Sequence, residues 1–242
     1  MKYSIIIPTL NEEKFLPDLL KQLTSPELQN LFNLEIIVSD GGSQDNTVGL
    51  AIKYADVVTV HQEKKIQNIA EGRNKGADLA SGEIMIFLNG DVRLEDPVKF
   101  FSFVEDKLVK HNYLAITGYV SIYPEEEVLL DSIFHYCYNH YFQLLNTIGV
   151  GMGRGECHII RSNIFKKLSG YNEKLAAGED FDLYRRIRAE GEILFTNKIR
   201  VYESPRRFRK RGYFSVTWMW IINGFSVWLK NKSISEIWEQ IR

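Results

Sequence analysis

Short apolar runs alternate with helical patterns through the first 110 residues. The β-branched run Ser4–Ile7 stops at Pro8, and leucines at helical spacing follow from Leu16 to Leu23. The same alternation recurs, with predicted strands at 35–38, 57–60 and 84–88 and predicted helices near 46–54, 67–80 and 96–110. Near-continuous apolar strands separated by helices predict an α/β fold, with a largely parallel sheet covered on both faces.

The second half of the chain has a different pattern. A helix rich in Tyr and Phe is predicted at 127–146, and Cys157–Ile160 has the pattern of a strand. Residues 213–229 contain no charged side chain but include Trp218, Trp220 and Trp228. This segment is short for a bilayer span, so it predicts either an interfacial helix at a membrane or a helix that covers the core or forms a homodimer.

Composition narrows the functional classes. The 242 residues are 45% hydrophobic and 25% charged, which suits one sizeable core. Lys and Arg total 30 against 31 Asp and Glu, so no overall positive field favours nucleic acid. Cys137 and Cys157 have no metal-ligand spacing, and no signal-peptide pattern follows Met1. We expect a cytoplasmic protein, at the inner face of the cytoplasmic membrane if the aromatic helix binds lipid.

Polar turns follow three of the predicted strands. Pro8-Thr9, Asp40-Gly41-Gly42 and Asn89-Gly90-Asp91 each come directly after an apolar run. Asp, Asn and Gly are ordinary loop residues, so any single turn taken alone is better explained as structural. In open α/β sheets, however, ligands bind beyond the carboxyl ends of the strands, so the three turns together predict one ligand crevice.

The residue types in these turns suit a nucleotide and a metal. The Asp40 carboxylate can accept hydrogen bonds from a base or sugar, and the glycines beside it allow close backbone approach. Asp91 offers a hard oxygen to Mg²⁺ or Mn²⁺, whose other ligands would be phosphates and water. Such a cation would neutralise a diphosphate leaving group.

Five segments together resemble family 2 glycosyltransferases of the GT-A fold. They are residues 5–13, 36–43, 73–76 together with 80–83, 87–91 and 178–183, and the resemblance extends over about residues 3–191. It implies a Rossmann-like, mostly parallel central sheet with helices on both faces and a C-terminal helical appendage. The glycosyltransferase domain would be 1–203, and 204–242 would hold a basic loop and aromatic helices packed on the domain or at a membrane surface.

The resemblance also implies a nucleotide-diphospho-sugar donor and assigns residues to it. Asp91 would bind Mg²⁺ or Mn²⁺, while Asn89 replaces the first Asp of an Asp-x-Asp motif and so weakens cation binding. Arg206 and Arg207 belong to a cationic cluster that would clamp diphosphate, rest on anionic lipid or simply be solvated. The residues expected at the donor are Pro8, Thr9, Asn11, Glu12, Asp40, Arg73, Asn89, Gly90, Glu179, Arg206 and Arg207.

Asp180 matches the catalytic base of the family. A carboxylate there would accept the proton of the acceptor hydroxyl during an inverting displacement. The alternative is that Glu179, Asp180 and Asp182 only complement the dipole of a helix N-terminus. The function expected is metal-assisted transfer of a hexose-type sugar to a hydroxyl or a lipid phosphate. The acceptor molecule would be a sugar or a polyprenyl-phosphate-linked acceptor. A nucleotide-sugar-binding regulator without catalysis is the other hypothesis, for which Asn89 is the main argument.

Overall fold

The computed structural model describes residues 1–63, 65, 67–230 and 232–234. The side chain of Trp228 and residues 235–242 of the predicted C-terminal segment lie outside the described part. The strands are β1 (Lys2–Thr9), β2 (Asn33–Asp40), β3 (Val57–Val60), β4 (Ile84–Leu88), β5 (Val92–Leu94), β6 (Ala115–Ile122), β7 (Cys157–Arg161) and β8 (Ile193–Glu203). The helices are α1 (Leu16–Leu23), α2 (Pro26–Leu31), α3 (Thr47–Tyr54), α4 (Ile69–Asp78), α5 (Pro97–Lys110), α6 (Leu129–Thr147), α7 (Ser162–Lys167), α8 (Glu179–Glu190), α9 (Arg206–Arg211) and α10 (Tyr213–Lys230).

All eight described strands form one sheet in the order β3-β2-β1-β4-β7-β6-β8-β5. The four predicted strands β1 to β4 are parallel, and β6 is parallel to β8. β7 runs antiparallel between β4 and β6, and β5 is antiparallel to β8. The predicted α/β class is therefore confirmed, with β5 and β7 as antiparallel additions to the parallel strands.

The alternation of β1 explains how the sheet is covered. Ile5 and Ile7 pack with the leucines of α1 on one face, whereas Ile6 faces α4 on the other. Each of these side chains is fully buried, which stabilises the fold by about 1.5–3 kcal/mol per residue relative to exposure. The carboxyl ends of β1, β2 and β4 consequently share one edge, where the polar turns lie.

Capping side chains set where two of the predicted helices begin. Asn68 Oδ1 accepts a hydrogen bond from the Glu71 amide at 2.8 Å, and Glu71 Oε2 accepts one from the Asn68 amide at 2.9 Å. This capping box starts α4 at Ile69, two residues after the predicted start. Asp96 caps α5 through the Lys99 amide at 3.0 Å.

The C-terminal helices pack against α6 through aromatic rings. Tyr138 stacks on Trp220 with ring centroids 5.2 Å apart, and Phe134 contacts Phe208 at 5.3 Å. Other aromatic side chains of this region face outward, since Phe214 is 84% exposed and Trp218 is 56% exposed. Within the described residues, we find no helix with the length and apolar character needed to cross a bilayer.

Candidate active site

One large cleft of about 1440 Å³ lies at the carboxyl edge of β1, β2 and β4. Asp91 and Asp180, which are distant in sequence, both open into it. Two predicted donor residues, Asn11 and Asp40, are not among the residues that line the cleft. The predicted residues that do line it are Pro8, Thr9, Glu12, Arg73, Asn89, Gly90, Asp91, Glu179, Asp180, Arg206 and Arg207.

Asp40 differs from the expectation that its carboxylate contacts the base. It is fully buried, and Oδ1 accepts hydrogen bonds from the amides of Gly42 and Ser43 at 2.9 and 2.8 Å. Oδ2 accepts from Thr9 Oγ1 at 3.0 Å and from Ser43 Oγ at 2.5 Å. Because these four bonds occupy both oxygens, Asp40 shapes the turn and leaves cleft contacts to its neighbours.

Asn11 likewise has a positioning role. Its backbone adopts a φ of 52°, and its Oδ1 accepts a hydrogen bond from the Gln44 amide at 2.6 Å. Its own amide donates to Ser43 Oγ at 2.7 Å. These bonds join the loop after β1 to the loop after β2, which places the next residue, Glu12, at the cleft.

Arg73 links three parts of the site. Its side chain is 1% exposed and therefore shielded from solvent. Nη1 donates to Glu179 Oε1 at 2.8 Å, and Nη2 donates to Asn89 Oδ1 at 3.1 Å and to the Gly155 carbonyl at 2.6 Å. Arg73 therefore fixes the turn after β4 relative to the start of α8, and directs the Asn89 carbonyl toward itself.

Asp91 is paired with an arginine from the basic segment. Arg206 Nη2 donates to Asp91 Oδ2 at 3.0 Å and to Glu12 Oε1 at 2.5 Å. The guanidinium also lies over the Phe15 ring, 5.0 Å from its centroid. Arg206 thus brings positive charge to the carboxylate predicted to bind metal, and the described residues contain no cluster of three or more metal-binding side chains.

Asp180 lies in the first turn of α8 with its carboxylate in the cleft. Burial, and then the negative charge of Glu179, raise the pKa of Asp180 to about 7. Its Oδ1 accepts a hydrogen bond from the Phe181 amide at 2.7 Å, which favours the ionised form. The carboxyl group is therefore poised to exchange a proton near neutral pH.

Asp182, in contrast, has a structural role as the partner of an arginine on the same helix. Its Oδ2 pairs with Arg186 Nη2 at 2.8 Å, one turn along α8. Arg186 in turn donates to the carbonyls of Leu168 and Gly170, each at 2.8 Å. Asp182 consequently anchors α8 to the segment before it, whereas Asp180 faces the cleft.

Glycines in the loop before β7 allow it to approach α8 closely. A Cβ on Gly153 would lie 2.4 Å from the Tyr184 ring, and a Cβ on Gly155 would lie 3.2 Å from Asp180 Oδ2. The loop thus passes beside the predicted base, and Gly155 adds its carbonyl to the contacts of Arg73.

A buried charged cluster that lines the cleft is not among the predicted site residues. Arg154, which is 2% exposed, lies 3.3 Å from Glu156 Oε2 and 3.6 Å from Glu203 Oε1. Burial, and then the charge of Glu156, raise the pKa of Glu203. In the sequence, Glu203 is marked as a site residue only by its position at the end of β8. That position becomes informative once β8 is known to join the same sheet as β1, β2 and β4.

A family model and two curated relatives, all named as glycosyltransferases, match this chain. A family model described as glycosyl transferase family 2 matches residues 4–169. A Mycobacterium bovis protein named PGL/p-HBAD biosynthesis glycosyltransferase is 34% identical over 93 residues, which is 37% of this chain and 35% of that protein. Validoxylamine A glucosyltransferase of Streptomyces hygroscopicus is 36% identical over 96 residues, or 37% of this chain and 20% of the relative. Each match spans about a third or less of the relative.

Solved structures share the fold at low identity. The mannosyltransferase of Pyrobaculum calidifontis in complex with GDP-Man and Mn²⁺ has a TM-score of 0.70 and 17% identity, covering 94% of this chain and 64% of that one. Glucosyl-3-phosphoglycerate synthase of Mycobacterium tuberculosis, with Mn²⁺ and UDP-Glc, has a TM-score of 0.61 and 17% identity, covering 93% and 79%.

The fold and the matches together define a class of enzyme. The mixed sheet with a cleft at its carboxyl edge is that of the GT-A glycosyltransferases. Within that class, the chain belongs to glycosyl transferase family 2, whose model covers more than half of its length. The expected resemblance is thereby confirmed.

Proposed function

We propose that this protein transfers a sugar from a nucleotide diphosphate to an acceptor oxygen with inversion at the anomeric carbon. The observation that carries the proposal is that Asp91 and Asp180 line one cleft, together with the turns after β1 and β4. A single cleft allows the leaving diphosphate and the proton acceptor to act on one anomeric carbon. A non-catalytic regulator would not need a carboxyl group with a pKa of about 7 there.

The donor would bind with its phosphates at the cationic side of the cleft. Arg206 and Arg207 begin α9 and line the cleft beside Asp91. Arginine forks match phosphate oxygens, and their charge stabilises the diphosphate as it leaves. Arg206 would exchange its contact with Asp91 for the phosphates when donor binds.

The cleft fits a divalent cation that arrives with its donor. Asp91 supplies one carboxylate, which suits Mg²⁺ or Mn²⁺ when phosphates and water provide the remaining ligands. Asn89 would add little, because its carbonyl oxygen already accepts a hydrogen bond from Arg73. When bound, the cation would neutralise charge on the leaving diphosphate.

Asp180 would act as the general base. Its carboxylate accepts the proton of an acceptor hydroxyl while that oxygen bonds to the anomeric carbon. The bond from the anomeric carbon to the phosphate oxygen breaks, and its electron pair leaves with the nucleoside diphosphate. Asp180 later returns the proton to water, which restores the carboxylate.

Asp180→Asn tests this role. The amide keeps the shape but cannot take the proton, so we expect turnover to fall by about 10²–10⁴-fold. The donor-induced rise in melting temperature should persist. Glu190→Gln is the matched control, because Glu190 is an exposed carboxylate of the same helix, paired with Lys167. Full turnover in Asp180→Asn would exclude Asp180 as the base.

We also propose that the outer face of α6 and α10 rests on an anionic membrane surface. Leu129, Phe214 and Trp218 are 77%, 84% and 56% exposed, and Lys210 on the adjoining α9 is exposed. Apolar side chains beside cations suit an interfacial site. Co-sedimentation with phosphatidylglycerol vesicles but not phosphatidylcholine vesicles is expected. A concentration-dependent dimer without vesicle binding would favour the homodimer instead.

A further inference from the structure

The acceptor side of the cleft has an apolar wall. It is built from α6 and α10, which contribute Tyr138, Tyr141, Phe142, Leu145, Trp220 and Ile221. Among the described residues that these two helices place at the cleft, none is charged. Charged residues enter the cleft instead from α4, α8, α9, the strand ends and the loops that hold Lys65, Glu173 and Lys174.

This wall adjoins the proposed base. A Cβ on Gly178, two residues before Asp180, would lie 3.1 Å from Val227 Cγ2, so α10 crosses the start of α8. Burial raises the pKa of Tyr138, and the charge of Asp180 acts on it in the same direction. A molecule whose hydroxyl reaches Asp180 would therefore have its remaining body against α6 and α10.

The charges around Asp180 select the acceptor group. Asp180, Glu179 and Glu156 all line the cleft, and the last two are paired with the buried Arg73 and Arg154. Three carboxyl groups against two guanidinium groups disfavour an incoming anion at this place. Arg154, the cation nearest the wall, lies 5.0 Å from the Tyr138 ring but is already paired with Glu156. A phosphate nucleophile also needs no base, since it is already ionised.

The wall continues beyond the cleft. Tyr141 and Ile221 line the cleft and are still 50% and 45% exposed. Leu144 on α6 is 58% exposed, and Ile148, directly after the end of α6, is 64% exposed. An apolar chain that starts in the cleft would thus find apolar surface along its length.

We propose that the acceptor is a neutral hydroxyl carried on an apolar aglycone, which binds along the wall formed by α6 and α10. This proposal rests on the proposed transferase function. This narrows the acceptor from hydroxyls and lipid phosphates to uncharged amphipathic alcohols. The aglycone could be part of a membrane lipid or of a free small molecule, because either presents the same chemistry to the wall.

Direct binding of alkyl glucosides, measured by calorimetry below their micelle concentrations, tests the proposal. Each methylene buried on the wall should tighten binding about threefold to fourfold, so octyl glucoside should bind at least about a hundredfold tighter than methyl glucoside when about four of its seven additional methylenes reach the wall. With the donor site filled by nucleoside diphosphate, octyl phosphate should bind more weakly than octyl glucoside. Equal binding of the two glucosides, or tighter binding of octyl phosphate, would overturn the proposal.

Two tyrosines of α6 provide a matched pair of variants. Tyr141→Glu puts a charge at the wall and should weaken octyl glucoside binding about tenfold. Tyr136→Glu adds the same charge at a side chain that is 65% exposed and does not line the cleft, so it should bind as wild type. Tyr141→Ser is a milder second variant if the first does not fold. Equal effects at both positions would contradict the assignment.

Two further measurements distinguish a lipid-borne acceptor from a soluble one, and a failure of the wall proposal from a failure of the transferase proposal. Phosphatidylcholine vesicles containing diacylglycerol that bind better than plain vesicles would identify a lipid-borne acceptor, whereas binding of the monomeric glucoside alone would identify a soluble one. The donor-induced melting shift is read without acceptor. If the donor causes no melting shift, the transferase proposal is contradicted. If the donor causes the shift but methyl and octyl glucoside bind equally, only the apolar wall is contradicted.

Discussion

At the residue scale, the chemistry of the cleft depends on how Asp180 is surrounded. Burial and Glu179 oppose its ionisation, while the Phe181 amide and Arg73 favour it. The balance leaves its pKa about three units above that of a free aspartate. A carboxylate this basic can accept a proton at neutral pH, whereas an exposed aspartate accepts one poorly.

The first prediction concerns the pH dependence of activity. With a pKa of about 7, Asp180 is mostly protonated below pH 6 and mostly ionised above pH 8. We expect kcat/KM to rise with pH through about 7, because only the ionised form accepts the proton. Initial rates at low donor and acceptor concentrations from pH 5.5 to 9 measure this. A profile that is flat above pH 5 would refute the assignment.

A second prediction concerns stability. The folded-state pKa of Asp180 lies above its unfolded value of about 3.9, so the folded protein holds more protons between roughly pH 4 and 7. The free energy of unfolding should therefore fall as pH rises through this window. Asp180→Asn lacks this titrating group, so its free energy of unfolding should not show the same fall. The difference in free energy of unfolding, variant minus wild type, should therefore increase from pH 4 to pH 8. Urea unfolding of both proteins at these pH values gives the difference.

At the element scale, the site is held together by contacts between segments far apart in sequence. Arg73 on α4 reaches Glu179 on α8 and Asn89 after β4. The glycine loop before β7 packs on Tyr184 of α8. The relative positions of the site residues therefore depend on a few buried contacts more than on the turns themselves.

Removing the Arg73 guanidinium tests the first of these contacts. Arg73→Gln leaves the Glu179 carboxylate buried without its partner, so we expect a loss of about 3–5 kcal/mol in unfolding free energy. Lys167→Gln removes a partner from an exposed ion pair with Glu190 and should cost less than about 1 kcal/mol. Chemical denaturation measures both, and equal losses would contradict the role of Arg73.

The loop contact is tested by adding one methyl group. Gly153→Ala places a Cβ 2.4 Å from the Tyr184 ring, so the loop or helix must move, at a cost of about 1–3 kcal/mol. Gly224→Ala is the matched control, because no described atom lies within 4 Å of a Cβ there and the residue is inside α10. It should stabilise the protein by up to about 1 kcal/mol. Melting temperatures of the two variants should shift in opposite directions.

At the scale of the whole molecule, one sheet edge collects the polar groups and two helices cover the side of the cleft. A ligand that binds only the native state raises its melting temperature. We expect a nucleotide sugar such as UDP-Glc or GDP-Man to do so, and the shift to grow when Mn²⁺ or Mg²⁺ is added. In Asp91→Asn, the shift with donor should lose its dependence on the cation. A cation-dependent shift that survives in this variant would show that the metal binds elsewhere.

The first four strands and their helices are readable from sequence because their signals are local. Ile5, Ile6 and Ile7 form an apolar run bounded by a proline, and the leucines of α1 repeat at helical spacing. The ends of α4 differ from the prediction by two residues, since the capping pair Asn68 and Glu71 sets the start. β6 and β8 were not predicted, because their pairing joins residues nearly eighty positions apart.

The candidate site divides in the same way. Asp91 and Asp180 are predicted from motifs, and they do open into one cleft. Asp40 lies in the predicted turn, but only the folded chain directs its carboxylate into hydrogen bonds within that turn. Glu203 and Arg154 carry no local signal of function, since their importance comes from being buried together.

The sequence by itself determines the alternation of strands and helices and the residue types at each strand end, because both depend on neighbours a few positions away. The tertiary structure alone decides which side chains line the cleft, which have all their polar atoms hydrogen-bonded within the protein, and which lie beside an apolar wall. Those outcomes depend on contacts between distant segments and on the loss of water around charged groups, which raises the pKa of Asp180 and buries Arg73.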